Sequence, residues 1–290
     1  MPTPKLLSCV VLVLAFCATA ANADRRNSEE TRTVELEGAT RLEVNVDFGL
    51  GKLTLSAADL KDEAHLTIFC DPRYVDYDVD YHKRGETGLL DIESDVHNHG
   101  RRHHDDDNID NECDLELPNN LPLSLHLNLG LCEGDLDLGG LRITDLDLDI
   151  GASSGRIEFS RPNPERMRDM KLDVGAASLE INGLGNANAE RISCEVGAGS
   201  CDLDFRDGVK GDCMLEIDVG LGSSEILVPR DMALRVRGED EWFSSIDFSG
   251  LDLREVSRGV WESDDFDKAK DRLTIDADVA MGSIDIRGRR

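Results

Sequence analysis

Four of the chain's seven histidines fall in one run, His97-Asn-His99-Gly-Arg-Arg-His103-His104-Asp105-Asp-Asp107-Asn-Ile-Asp110. Imidazole and carboxylate together suit borderline divalent metals, so His97, His99, His103, His104, Asp105 and Asp107 are the candidate metal ligands. Their spacing matches no structural zinc pattern, and Arg101 and Arg102 interrupt the run. The leading reading of the same residues is a solvated loop whose charge changes as histidine titrates at about pH 6.5. Apart from a divalent cation at this loop, no cofactor is expected.

Cysteine and glycine are the other residues whose chemistry needs weighing. Beyond the first 23 residues stand Cys70, Cys113, Cys132, Cys194, Cys201 and Cys213, an even number, as suits an oxidising compartment. Gly49-x-Gly51, Gly197-x-Gly199 and Gly220-x-Gly222 begin like nucleotide-binding loops, yet none continues to the third glycine of a dinucleotide site or the lysine of a P-loop. There is no G-x-S-x-G and no H-E-x-x-H. No residue is assigned a catalytic role, and the chain is read as non-enzymatic.

The glycines belong to a repeat. An apolar residue followed by glycine recurs at Leu129-Gly130, Ile150-Gly151, Val174-Gly175, Val196-Gly197 and Val219-Gly220, at intervals of 21, 24, 22 and 23 residues. Phe48-Gly49 is an early copy, and Val279-Ala280 a late one with alanine in place of glycine. Apolar residues alternate before each corner, as in Leu146, Leu148, Ile150 and Leu215, Ile217, Val219. They alternate again after it, as in Leu179, Ile181 and Ile226, Val228. Period two means a strand with one buried face. Each unit is therefore strand, corner, strand, with Gly49, Gly130, Gly151, Gly175, Gly197 and Gly220 as structural corners. Stacked units bury a continuous aliphatic core, which predicts an all-β, single-domain β-solenoid. A leucine-rich repeat would show one alternating strand per unit, and a propeller blade would need about twice the period.

Stacking also aligns charges. Asp149, Asp173, Glu195 and Asp218 occupy one outward position before the corner, and Glu180, Asp202 and Glu225 another after it. At rungs about 4.8 Å apart, each neighbouring pair costs on the order of 0.9 kcal/mol in bulk water before salt screening. Such columns serve as a solubilising face that blocks edge aggregation, or as a diffuse site for calcium or magnesium. Cys194 and Cys201 point inward on either side of one corner. A sheet spacing of ~10 Å would hold them apart, so they are expected as buried thiols. Cys70 and Cys113 flank an irregular segment that a disulfide between them would staple.

Sixty acidic against 32 basic residues give a formal charge of −28. A surface that negative repels phosphate backbones, so no nucleic-acid partner is expected and cationic partners are favoured. Residues 1–23 read as a signal peptide: Lys5, an apolar run from Leu6 to Ala18, and Ala21-Asn22-Ala23 as the cleavage site. No later apolar stretch is long enough for a transmembrane segment. The expectation is an exported protein, periplasmic or extracellular. Residues 24–37 are expected as a flexible N-terminal segment and 38–290 as the solenoid. Within it, 61–120 are read as irregular rungs carrying the His/Asp-rich loop 95–112, and 238–272 as a cap-like segment holding Trp242 and Trp261.

The runs Leu42-Glu-Val-Asn-Val-Asp-Phe-Gly-Leu-Gly, Leu215-Glu-Ile-Asp-Val-Gly-Leu-Gly-Ser and Ala277-Asp-Val-Ala-Met-Gly-Ser-Ile-Asp-Ile resemble bacterial cell-envelope β-solenoids of the toastrack or adhesin type. Val260 to Ile275 is similar to the closing segment of related domains in envelope-stress regulators. The resemblance covers residues 38 to 287 and implies a non-enzymatic envelope or surface protein whose partner is another envelope or surface protein. A divalent-metal-binding envelope protein and an accessory to envelope-stress signalling are the alternatives.

Overall fold

The computed structural model describes residues 27–97, 110–238 and 244–289. The described strands hydrogen-bond into one continuous ladder of eighteen, and one short 3₁₀ turn, Leu184–Ala187, interrupts them.

Five long strands are each bent at a corner, and each belongs to two walls of the stack: β2 (Arg41–Ala58), β7 (Pro122–Asp137), β12 (Ala189–Asp204), β13 (Asp212–Pro229) and β18 (Arg272–Arg289). Four further rungs are split at the corner into pairs. These are β5 (Thr87–Val96) with β6 (Asn111–Pro118), β8 (Arg142–Ile150) with β9 (Ser154–Glu158), β10 (Met167–Val174) with β11 (Ser178–Asn182), and β14 (Ala233–Arg237) with β15 (Ser244–Ser249). The first wall stacks in parallel as β5, β2, β7, β8, β10, β12, β13, β18, β14. The second stacks as β6, β2, β7, β9, β11, β12, β13, β18, β15. This is the expected solenoid.

Register follows the hydrophobic pattern, because a one-residue slip would turn every apolar side chain into solvent. Phe48, Leu129, Ile150, Val174, Val196, Val219 and Val279 form one buried column, each directly opposite the next. Val46, Leu127, Leu148, Leu172, Cys194, Ile217 and Ala277 form another. Leu55, Leu136, Ile157, Ile181, Leu203, Ile226 and Ile286 face them from the second wall.

The corner glycines are needed for close approach. A Cβ on Gly130 would lie 2.7 Å from the carbonyl oxygen of Gly49; on Gly175, 2.6 Å from that of Gly151; on Gly220, 2.8 Å from that of Gly197. The second glycine of each G-x-G is tighter still, since a Cβ on Gly199 would meet the Ala177 oxygen at 1.9 Å. Gly222 and Gly282 combine such contacts with a positive φ, which L side chains rarely adopt.

Both ends differ from the simple stack. The segment 24–37 is not a flexible tail throughout: β1 (Ser28–Glu35) pairs antiparallel with β3 (Glu63–Cys70), which in turn covers β6. Val34 and Leu36 supply the buried contacts that hold it. Residues 61–120 likewise are only partly rungs. β5 and β6 make one, whereas β3 and β4 (Val75–Arg84) run antiparallel as cover strands, and the Tyr81 hydroxyl donates to the Leu36 carbonyl. At the other end β16 (Arg254–Ser257) and β17 (Val260–Glu262) form an antiparallel pair docked on β14. Trp261 packs on Phe248 with ring centroids 5.1 Å apart, and the Arg235 guanidinium lies 4.1 Å over Phe266. Trp242 is outside the described residues.

On the side away from the corner, buried Asn163 ties three turns together. Its Nδ2 donates to the carbonyls of Ile143 and Ala187 at 2.8 and 3.1 Å, while its Oδ1 accepts from the amides of Ile143 and Glu165.

Candidate functional site

The first sheet and its corner edge carry the most distinctive surface. In-register stacking puts Glu93, Asp47, Asn128, Asp149, Asp173, Glu195, Asp218 and Asp278 in a single exposed column. Among the described residues, no basic side chain comes within 4.0 Å of any of these seven carboxylates. A shallow groove of ≈ 630 Å³ lies over the same face, lined by Asp47, Asp91, Glu93, Asp147, Asp149 and Asp173. His126 stands there as well, its Nδ1 3.8 Å from Asp147 Oδ2.

The second column behaves differently. Asp135, Arg156, Glu180, Asp202, Glu225 and Asp285 also stack in register, but Arg156 pairs with Glu180 at 3.1 Å and Arg287 with Glu225 at 2.6 Å. Hydrogen bonding from Asn182 and then the Arg156 charge hold the Glu180 carboxyl below its usual range. Ion pairing within this column, and none in the column from Glu93 to Asp278 among the described residues, sets the two columns apart electrostatically.

Between the two columns runs the corner itself, where the middle residue of each turn points to solvent. Leu50, Leu131, Ala152, Ala176, Ala198, Leu221 and Met281 occupy that position in successive rungs. Leu131, Leu221 and Met281 are 61%, 50% and 51% exposed, three of the five large apolar side chains so exposed among the described residues. The outcome is an apolar line with a bank of unpaired acids on one side. On the other side stands a column of serines, Ser154, Ser178, Ser200, Ser223 and Ser283.

Of the candidate metal ligands, only His97 lies within the described residues. It directly follows β5, and its Nε2 is 2.6 Å from Asp76 Oδ2 on β4. His99, His103, His104, Asp105 and Asp107 lie outside the described residues. Among those described, no group of three or more His, Cys, Asp or Glu side chains is placed to hold a metal ion.

All six described cysteines are buried free thiols. Burial pushes Cys113 and Cys213 up to about 12 and Cys132 up to about 11, so each is a neutral thiol at pH 7. Cys70 and Cys113 are not partners. Cys113 sits opposite Ile68, and Cys70 opposite Asn111, two residues away on the same pair of strands. Cys194 and Cys201, which sheet spacing would separate, have their sulfurs 3.4 Å apart. The turn between them is so tight that the two walls converge there, and the sequence pattern could not show this.

No helix among the described residues is long and apolar enough to cross a membrane, which does not bear on strands. No protein of curated function matches the chain. Two solved structures align with nearly the whole chain at low identity. One is a putative cell adhesion protein from Clostridium sporogenes ATCC 15579, with 15% identity, TM-score 0.44, 91% of this chain and 100% of that one. The other is a putative adhesin from Bacteroides fragilis NCTC 9343, with 12% identity, TM-score 0.37, 89% of this chain and 97% of that one. The family model described as the N-terminal domain of toast_rack, DUF2154, matches residues 22–182, over half of the sequence and rungs β2 to β11 of the stack; the chain belongs to the toast_rack family.

Proposed function

We propose that this protein is an exported, non-enzymatic, adhesin-like envelope or surface protein that binds a cationic, partly apolar segment of another protein along the corner edge of its first wall. The observation that carries the reading is the column from Glu93 to Asp278, whose seven carboxylates have no basic partner within 4.0 Å among the described residues, beside the exposed line of Leu131, Leu221 and Met281. An apolar strip alone would invite a second copy of the chain, but two such strips would bring two acidic banks together. A basic segment is attracted by the same charges, and its apolar side chains cover the strip. The leader-like residues 1–23 support export.

The test measures binding of the full chain to a synthetic peptide of alternating leucine and lysine, with oligolysine of equal charge as control. The triple variant Asp149→Asn, Asp173→Asn, Glu195→Gln should lose at least ~10-fold in affinity. The matched triple Asp202→Asn, Glu225→Gln, Asp285→Asn on the second wall should lose little. Equal loss from both, or oligolysine binding as tightly as the mixed peptide, would reduce the surface to non-specific charge and overturn the reading.

A further inference from the structure

Two inward-facing thiols meet in the middle of the stack. Cys194 and Cys201 lie on the same strand, β12, on opposite sides of the corner formed by Gly197, Ala198 and Gly199. Both are buried, at 1% and 0% exposure, and the Cys194 thiol donates to the Cys201 sulfur across 3.4 Å. The corner is held shut from the rung on either side. Gly199 packs on the Ala177 carbonyl oxygen, and Gly222 of the next rung packs on the Gly199 oxygen. The Ser224 hydroxyl, buried in that next rung, donates to the Cys201 carbonyl. The preceding rung fills the two corresponding positions with Leu172 and Leu179, so packing alone does not require a pair of thiols here.

We infer that Cys194 and Cys201 are a modification site, closing into an intrachain disulfide that clasps the corner of β12 when the protein folds in an oxidising compartment. The sulfurs need to approach by only about 1.4 Å to reach bonding distance. In the reaction one cysteine, as thiolate, attacks an external disulfide of the small-molecule or oxidoreductase class. A mixed disulfide forms and one thiol leaves. The second cysteine then loses its proton and attacks the mixed disulfide, forming the Cys194–Cys201 bond and releasing the second thiol. Two protein thiols are oxidised and one external disulfide is reduced to two thiols.

Timing follows from the environment. Hydrogen bonding between the two thiols, with burial, holds Cys201 well above the ordinary thiol range, so exchange in the folded state is slow and the bond forms while the rung is still open. Once formed it is shielded from reductants by the rungs above and below.

Trypsin makes the test direct, because cleavage after Arg191 and Arg206 leaves both cysteines in one peptide. The full chain is refolded from the reduced, denatured state with oxidised and reduced glutathione, alkylated in denaturant without further reductant, and digested. The expected product is peptide 192–206 unalkylated and about 2 Da lighter than the dithiol form, since two hydrogens are lost. Its formation should raise the melting temperature by about 5 °C over the reduced protein. A doubly alkylated peptide, or either cysteine bonded to another peptide, would overturn the inference. Refolding of the Cys194→Ala, Cys201→Ala double variant, followed by circular dichroism, guards against misreading a folding failure. If the double variant folds and its melting temperature is unaffected by the glutathione couple, the wild-type shift belongs to this pair; a shift that survives in the variant would overturn that assignment.

Discussion

Asp149 and Asp173 stand directly opposite each other in the parallel β8–β10 pair, both exposed, with no basic side chain within 4.0 Å of either among the described residues. Like charges so placed repel, and the cost shrinks with added salt. Asp173→Asn should therefore leave the melting temperature unchanged or raise it in low salt, with the gain fading at high salt. Leu172→Asp, one residue away and 1% exposed, should unfold the protein, because it buries a charge. Thermal melts of both variants at two ionic strengths check the pair, and similar damage from the two would mean the register is wrong.

The corner glycines are predicted to be intolerant for a reason other than φ. Gly175→Ala and Gly199→Ala put a methyl group 2.6 and 1.9 Å from a backbone oxygen of the previous rung, and each should cost about 1–3 kcal/mol as the rungs are forced apart. Gly85→Asn is the contrast. Its surroundings are open and its φ of +65° is one that asparagine tolerates, so it should cost under about 1 kcal/mol. Urea unfolding of the three variants separates packing from backbone strain.

Asn163 is the polar residue on which the inner turns depend. Asn163→Asp keeps the shape but sets a carboxylate against the Ile143 and Ala187 carbonyls, to which the amide now donates. A loss of roughly 2–3 kcal/mol is expected at pH 7. One carboxylate oxygen keeps the Ile143 and Glu165 amides, but burial and the two carbonyls facing the other oxygen raise the pKa of the introduced acid, so the penalty should shrink as pH falls and the protonated acid regains one donor. Stability curves at pH 7 and pH 4 measure this, and a pH-independent loss would locate the damage elsewhere.

Asp212 gives a second pH signature of opposite sign. Hydrogen bonds from Arg272 at 2.7 and 2.8 Å, then its charge, hold the Asp212 carboxyl below its usual range. A depressed folded-state pKa stabilises the protein above the unfolded value of about 3.9, and the contribution is lost as pH falls through the folded value. Asp212→Asn should accordingly melt lower than wild type at pH 7, with the gap closing toward pH 2. Both side chains meet solvent, so the effect should be small and weaker in salt.

How much of this was legible in the sequence depends on what period two encodes. Alternation at Leu146, Leu148 and Ile150, or at Leu215, Ile217 and Val219, fixes which face is buried, and stacking then sets Asp149, Asp173, Glu195 and Asp218 in line without further information. It does not encode which rung lies beside which. β2 and β7 are neighbours although more than sixty residues separate them, because the intervening β3 to β6 fold back on the far side of β2. Nor does it encode distance across a corner, which is why Cys194 and Cys201 were expected apart. The cations that neutralise the second column, Arg156 and Arg287, were invisible for a simpler reason: one is a rung substitution and the other reaches across from the neighbouring column. Asn163 carries no periodic signal at all.

The order of rungs differs from the order of the chain at both ends. β5 and β6 follow β2 in sequence yet precede it in the stack, and β14 and β15 precede β18 in sequence yet lie beyond it. During synthesis from the N-terminus, β14 and β15 therefore emerge before the strand they must pair with, and remain undocked until β18 settles onto β13. The middle rungs add in the order they are made, each on a finished template, whereas the closing of the solenoid waits for a strand to slot between two elements already present. Assembly has a late step, and a ribosome-bound chain stalled before Arg272 should show a protease-sensitive β14–β17 segment on an otherwise protected stack.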